Sequence, residues 1–268
     1  MEKAHIQDIN IIKKKHYKLI IASIVILILI GLASVVTQYN HLEGIASIPI
    51  GFSWLLSNML FSSATLSNLP KVLSLLWDTI LISFISSVVA AIFAVVFAIL
   101  GSKVMAVNRF FMYTAKVIAS ISRNIPVVAW ALILVVSFGT NAATGFLALF
   151  FTSFGFLVRA FIETIDEMSL DTIEALRATG ASYTHIVVKA VLTESLPQMF
   201  SWVLFMIETN IRNATLIGIL TGTGIGYLFD LYYKQLDYQM ISLITLAIVF
   251  AVLIIEFISN YIRREILR

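Results

Sequence analysis

Two charged side chains stand in a stretch of sequence that offers them no water. Glu208 and Arg212 fall inside the apolar run 200–220. A charge in the middle of such a run costs about 2.5–3.5 kcal/mol or more on insertion scales, so it needs a partner or a water-lined cavity. A spacing of four residues puts both on one helix face, where they can pair. Asn210 and Asn213 add polarity beside them. Two roles are open for Arg212: it lines a path for an anion, or it forms a structural pair with Glu208 that pins helices together. Arg123, Asn124 and Pro126 form a second polar point at the start of another apolar run. Arg123 reads either as an anion contact, helped by amides that proline leaves unpaired, or as a charge flanking a membrane on its inner side.

Covalent chemistry has no obvious residues. The four histidines (His5, His16, His41, His185) are scattered and lie outside the apolar runs, and there is no cysteine. No paired carboxylates, nucleophile elbow or phosphate-binding lysine motif is visible, and no metal site is expected. Gly222, Gly224 and Gly226 follow no strand and so make a poor nucleotide motif. They read as a loosened end of an apolar segment, on the outer side, and as part of a gate or a plain turn.

The longest polar interruption in the second half of the chain is 166–197. Asp171 and Glu174 fit a capping box, an N-cap acid with Glu three positions on. The helix they open carries Ile173, Leu176 and Ala175 toward one side and Arg177 on the other. Gly180 sits where that helix must end, because glycine takes the left-handed C-cap conformation cheaply. A second amphipathic run follows, and Pro197 marks entry to the next apolar segment. The stretch reads as helix, glycine break, helix.

These residues resemble the coupling loop of permease subunits of bacterial ABC importers. Glu174, Ala175 and Gly180 match the family's spacing; Leu176 replaces its third-position alanine, Thr193 stands where proline is usual, and Leu196-Pro197 is present. The resemblance implies that Asp171, Glu174, Ala175, Arg177, Gly180 and Ala181 dock on a cytoplasmic ATPase. It implies ATP and Mg on that partner and no cofactor on this chain.

Composition agrees with a membrane protein. The chain has 268 residues, of which 60% are hydrophobic and 12% charged, and its mean hydropathy is +0.97. A soluble domain carries about 25% charged residues. The net charge of +3 does not point to nucleic acid, because the basic residues flank apolar runs. Residues 1–18 form a basic N-terminus, and 19–37 hold an uncharged run long enough to span a bilayer. A signal peptide is the competing reading; the run is long for one and no small-x-small cleavage site follows. Residues 38–74 are mixed, with an interfacial helix expected over 45–61, where Phe52 and Trp54 suit a membrane surface. Five further spans lie within 75–262: 79–100, a third starting near Ser120 and bent at Pro126, 143–158, 200–220 and 240–258. Residues 263–268 form a basic tail. The fold expected is an all-α integral membrane protein of six transmembrane helices.

Orientation follows from the basic residues. With the N-terminus in the cytoplasm, all but four of the 18 Lys and Arg fall on the cytoplasmic side. Lys71 and Lys234 fall outside, and Arg123 and Arg212 lie in or near spans. The same orientation puts 166–197 and both termini in the cytoplasm. The outer aromatics Tyr227, Phe229, Tyr232, Tyr233 and Tyr238 suit a membrane interface or a partner contact.

A narrower resemblance covers R-N-I-P-V-V-A-W-A-L-I at 123–133, G-F-L-V-R-A-F-I-E at 155–163, E-A-L-R-A-T-G-A-S at 174–182 and N-I-R-N-A-T-L-I-G at 210–218. These segments are similar to phosphonate-type permeases. The resemblance implies a type I permease core of five helices with one extra N-terminal helix. It implies a homodimer in the bacterial inner membrane, served by ATPase subunits and a periplasmic or lipid-anchored binding protein. Phosphonates or related oxyanions are the substrates it implies, with Arg123, Asn124, Glu208, Arg212 and Asn213 on their path. The rival readings are an ion-coupled secondary transporter, with Glu208 as its central carboxylate, and a permease for another small solute.

Overall fold

A computed structural model describes residues 2–60, 62–167 and 170–266, and the side chains of these other than 2–13, 59, 170 and 171. Among the described residues all regular structure is helical, with no strand. It divides into two units, Met1–Asn58 and Met59–Arg268.

The first unit holds α1 (Glu2–Thr37) and α2 (His41–Met59). The N-terminal segment expected as a basic tail belongs to α1, which runs unbroken into the apolar stretch. Gln38, at φ +56°, turns the chain between the two helices. Asn40 then caps α2, its Oδ1 accepting from Leu42 N (3.1 Å) and Glu43 N (3.3 Å). Of the two, α1 is long and apolar enough to cross a membrane.

The second unit is built on α4 (Leu69–Gly101), α7 (Ala142–Asp166) and α10 (Thr193–Thr221), preceded by the single turn α3 (Ser63–Leu66). The buried face of α4 reads Val72, Leu76, Thr79, Ser83, Ser86, Ser87, Ala90, Ala94, Ala98, Gly101. These recur at three- and four-residue spacing, the period of one helix face. Below Leu76 every one is small, which lets neighbouring backbones come close where lipid gives no hydrophobic drive between helices. Gly155 on α7 uses that closeness against α5 (Arg109–Asn124): a Cβ there would stand 2.5 Å from Arg123 N and 2.7 Å from Ala119 O.

The third span starts earlier than expected, at Arg109. The bend expected at Pro126 is present, but it is close to a right angle rather than a shallow kink: α5 ends at Asn124 and α6 (Val127–Phe138) leaves it at 91°. The residue before a proline is pushed to extended geometry, and Ile125 has ψ 120°. The Trp130 indole N–H bridges the bend to Ser122 O at 3.1 Å. At about 1.5 Å per residue, α6 is too short to cross alone. Among the described residues five single helices suit a membrane span, and the bent pair makes six when counted as one.

The polar stretch 166–197 also resolves differently. α8 (Leu170–Ala178) is followed by α9 (Tyr183–Ile186), a widened π turn (Val187–Leu192) and α10, continuous to Thr221. Pro197 therefore lies inside a helix rather than at its entrance. Thr193 donates its backbone N–H to Ala190 O and its hydroxyl to Val188 O (3.0 Å). The N–H and hydroxyl bonds need a residue other than proline at that position.

The glycines at 222, 224 and 226 do not loosen the chain. Gly222 takes the left-handed cap of α10, and α11 (Gly224–Lys234) folds back on α10 and α4. Ile225 N donates to Thr79 Oγ1 at 2.9 Å. A Cβ on Gly226 would lie 2.0 Å from Thr215 O and 2.8 Å from Ile219 N. α12 (Tyr238–Ile266) closes the bundle, with Met240, Leu243 and Ile244 packed on α11 and α4. Gly226→Val forces the backbones of α10 and α11 apart, an overpacking cost of about 1–3 kcal/mol. Its thermal-unfolding midpoint in detergent is expected to fall. Gly31→Ala, where nothing lies within 4 Å of the added Cβ, leaves the midpoint unchanged.

Candidate functional site

Asn210 sits at the centre of the three main helices and is fully buried. Its Nδ2 donates to Ser87 Oγ (2.8 Å) on α4 and to Ser153 Oγ (2.6 Å) on α7. The Ser83 hydroxyl donates to Asn210 O at 3.1 Å. One amide thus ties α10 to both neighbours.

Glu208 and Arg212 flank this point on the same helix. The expected pair forms, Arg212 Nη1 to Glu208 Oε1 at 2.9 Å. Glu208 is mostly buried and the Arg212 side chain is 46% exposed, so the guanidinium edges an open face. A third charge joins them. Arg263, expected in the basic tail, reaches to 3.7 Å of Glu208 Oε2. Its Nε and Nη2 are buried and make no hydrogen bond among the described residues. The cluster is therefore one carboxylate between two arginines. Sequence spacing could not have found Arg263, because it comes from another helix 55 residues along the chain. Asn213 is half-buried one residue past Arg212.

Arg123 and Asn124 lie elsewhere. Asn124 Nδ2 donates to Ser120 Oγ at 3.1 Å, at the α5–α6 bend. Arg123 borders a cavity between α5 and the Asp166 end of α7. Among the described residues no ion pair or hydrogen bond joins either to the Glu208 cluster.

The α8 segment has two distinct faces. Ile173 is buried, and Leu176 and Ala181 are packed against the same core as Met105 and Ile186. Glu174, Ala175, Arg177, Thr179 and Gly180 are exposed. The sequence reading puts Ala175 on the same side as Ile173. Ala175 faces outward, since two residues at about 100° each turn it to the opposite side. The capping box expected at Asp171 falls on a side chain outside the described residues; α8 starts at Leu170, which puts Asp171 within its first turn. The C-terminal expectation holds in detail. Gly180 has φ +76°, Gly180 N donates to Arg177 O (3.0 Å) and Ala181 N to Leu176 O (3.1 Å). This pair of bonds is a Schellman cap.

Four hydrogen bonds that sequence reading missed tie the stretch from Asp166 to Tyr183 to the α4–α5 loop. Arg177 Nη2 donates to Val104 O (3.3 Å), and the Tyr183 hydroxyl donates to Met105 O (2.9 Å). Asp166 Oδ1 accepts from Ser102 Oγ (2.6 Å) and Lys103 N (2.8 Å). Each partner is a backbone group or a serine, which carries no pattern in sequence.

The model of binding-protein-dependent transport system inner membrane components matches residues 94–266. The chain belongs to that family. It is a multi-pass inner-membrane permease subunit of an ABC importer rather than an enzyme, and the family works with an ATPase and a substrate-binding protein. Membership sets aside the ion-coupled carrier. A putative phosphite transport system permease protein of Stutzerimonas stutzeri is 26% identical over 95% of this chain and 88% of its own length. A second phosphite transport system permease protein of that organism is 28% identical over 70% of this chain and 68% of its own length. A phosphate-import permease protein of Mycolicibacterium smegmatis is 24% identical over 70% of this chain and 36% of its own length. Among solved structures, the methionine ABC transporter MetNI in an inward-facing conformation superposes with a TM-score of 0.66 at 20% identity. That match covers 78% of this chain and all of the other. The type I permease fold is thus shared.

Replacing Asn210 by Leu removes both donors to Ser87 and Ser153. Interhelical hydrogen bonds in membranes are worth about 0.6–2 kcal/mol. The variant is expected to lose about that much stability in mixed-micelle unfolding; an unchanged unfolding curve contradicts the pinning role.

Proposed function

We propose that this permease imports phosphorus oxyanions, the class to which phosphonate, phosphite and phosphate belong. The observation that carries the reading is the pairing of a match to a phosphite permease along nearly the whole chain with two arginines around Glu208. One carboxylate between two guanidiniums leaves an excess positive charge. Arginine's planar fork suits phosphorus oxyanions. Arg212 is the exposed member, so it meets the anion, while Glu208 and Arg263 hold it in place. Asn213 adds a polar contact, and Arg123 and Asn124 contact the anion further along its path.

The orientation we infer puts both termini, the α4–α5 loop and α8 in the cytoplasm. Two copies of the chain enclose the path. A periplasmic or lipid-anchored binding protein delivers substrate outside, and ATP with Mg binds the ATPase alone. Asp171, Glu174, Ala175, Arg177, Gly180 and Ala181 form the docking step for that ATPase. The movement of α8 passes through the Arg177 and Tyr183 contacts to the α4–α5 loop, and through the helix beginning at Tyr183 to Glu208 and Arg212. ATP-driven closure thereby reorients the charged cluster from one side to the other. The cluster needs only modest affinity, because a carrier must release what it passes.

Arg212→Gln is expected to lower phosphite or phosphonate uptake at least about tenfold, the effect of losing one charge-assisted contact. The chain's membrane level and the basal ATPase activity of the complex stay unchanged. Normal uptake at normal expression removes Arg212 from the path. Gly180→Val, which strains the left-handed cap, is expected to leave ATP hydrolysis uncoupled from uptake or to release the ATPase. Intact ATP-dependent uptake contradicts the docking role.

A further inference from the structure

A second charged site lies apart from the Glu208 cluster. A cavity of about 380 Å³ opens between α5 and the last turns of α7. Four cationic side chains border it: Lys103, Lys116, Arg123 and Arg159. Two carboxylates share the rim, and both are engaged. Glu163 Oε1 accepts from Arg159 Nε at 2.7 Å. Asp166 Oδ1 is bound to Ser102 Oγ and to the backbone N–H of Lys103, not to a lysine ammonium. The side chains of Lys103, Lys116 and Arg123 have no ion pair or hydrogen bond among the described residues. Ser120 on the same wall accepts from Asn124 through its oxygen, so its hydroxyl hydrogen is available to a ligand.

The wall between these charges is made of small residues. Ala119 and Gly155 line it, and Gly155 is held to glycine by its contact with the Arg123 backbone. The close approach of α5 and α7 at Gly155 fixes where Arg123 leaves the helix. Three unpartnered cations border one concave space; like charges sharing it repel one another, and an anion with several acceptor oxygens relieves that repulsion. Lysine ammonium groups supply point charges, and Arg123 a planar fork.

We propose that this cavity is a binding site for a phosphorus oxyanion group, held by Lys103, Lys116, Arg123 and the Ser120 hydroxyl. The choice of phosphorus chemistry rests on the transport reading above; the excess of cations does not. In the orientation inferred above the cavity opens toward the cytoplasm. Its occupant is then either free oxyanion on that side or the headgroup of an anionic lipid in the inner leaflet.

The test uses the full chain in nanodiscs of phosphatidylcholine, with radiolabelled inorganic phosphate as probe and binding read at equilibrium. Lys116→Gln with Arg123→Gln is expected to weaken binding at least about tenfold. The charge-matched pair Lys71→Gln with Lys234→Gln leaves it unchanged, and Lys116→Arg with Arg123→Lys retains most of it. A parallel arm uses nanodiscs containing phosphatidylglycerol, with retained lipid read by native mass spectrometry. Phosphate binding lost in the double variant identifies free oxyanion as the occupant. Phosphatidylglycerol kept by the wild type and lost by the double variant identifies the headgroup. If neither probe separates the wild type from the double variant, the site is overturned. Binding is read without ATP or uptake, so a chain that binds phosphate here yet imports no phosphorus oxyanion keeps this site and loses the transport reading.

Discussion

The structure depends on how closely α4, α7 and α10 approach one another. Hydrophobic burial does little for helix association in a bilayer, because lipid is as apolar as leucine. What remains is close packing and the occasional hydrogen bond. The seam supplies both: Ala90, Ala94 and Ala98 are fully buried along α4, and Asn210 joins the hydroxyls of Ser87 and Ser153 across it. The same economy governs the periphery, where Gly155 seats α5 on α7 and Gly226 seats α11 on α10. Small residues set the distances between these helices.

Two consequences for function follow from that seam. Glu208 and Arg212 lie on either side of Asn210 in sequence, so the residue that locks α10 also fixes the charged pair. In the transport cycle we propose, a shift of α10 carries the pair with it, since tightly packed interfaces are bistable rather than continuously deformable. Continuity between Tyr183 and Thr221 gives such a shift a lever outside the spans. The widened turn at Val187–Leu192 and Pro197 are irregular points along it. π turns of this kind occur often at functional sites.

Much of this was legible in the sequence. Apolar runs with basic flanks placed the spans, and Gly180 announced its cap because few residues other than glycine accept that backbone. The i, i+4 spacing of Glu208 and Arg212 foretold their pair. Other features were hidden for physical reasons. The near right angle at Ile125–Pro126 depends on where α6 can pack, which proline alone does not say. Gly222, Gly224 and Gly226 looked like looseness, since glycine serves both flexible turns and close backbone approach. Arg263 looked like a flanking charge, and only the tertiary path of α12 brings it to Glu208. Asp166 is a helix-end acid by sequence, yet it fastens the end of α4 through a serine and a backbone amide.

The central claim is that the exposed step at Glu174–Gly180 meets a cytoplasmic ATPase. The chain contains no cysteine, so a single Thr179→Cys gives an unambiguous label on an exposed residue of that step. The measurement is thiol cross-linking of this variant in native membranes, followed by identification of the cross-linked partner with and without ATP. The account predicts one cross-linked ABC ATPase, with a yield that changes on adding ATP, and protection from a membrane-impermeant thiol reagent applied outside intact cells. Labelling from outside, with no ATPase cross-link in either condition, contradicts it.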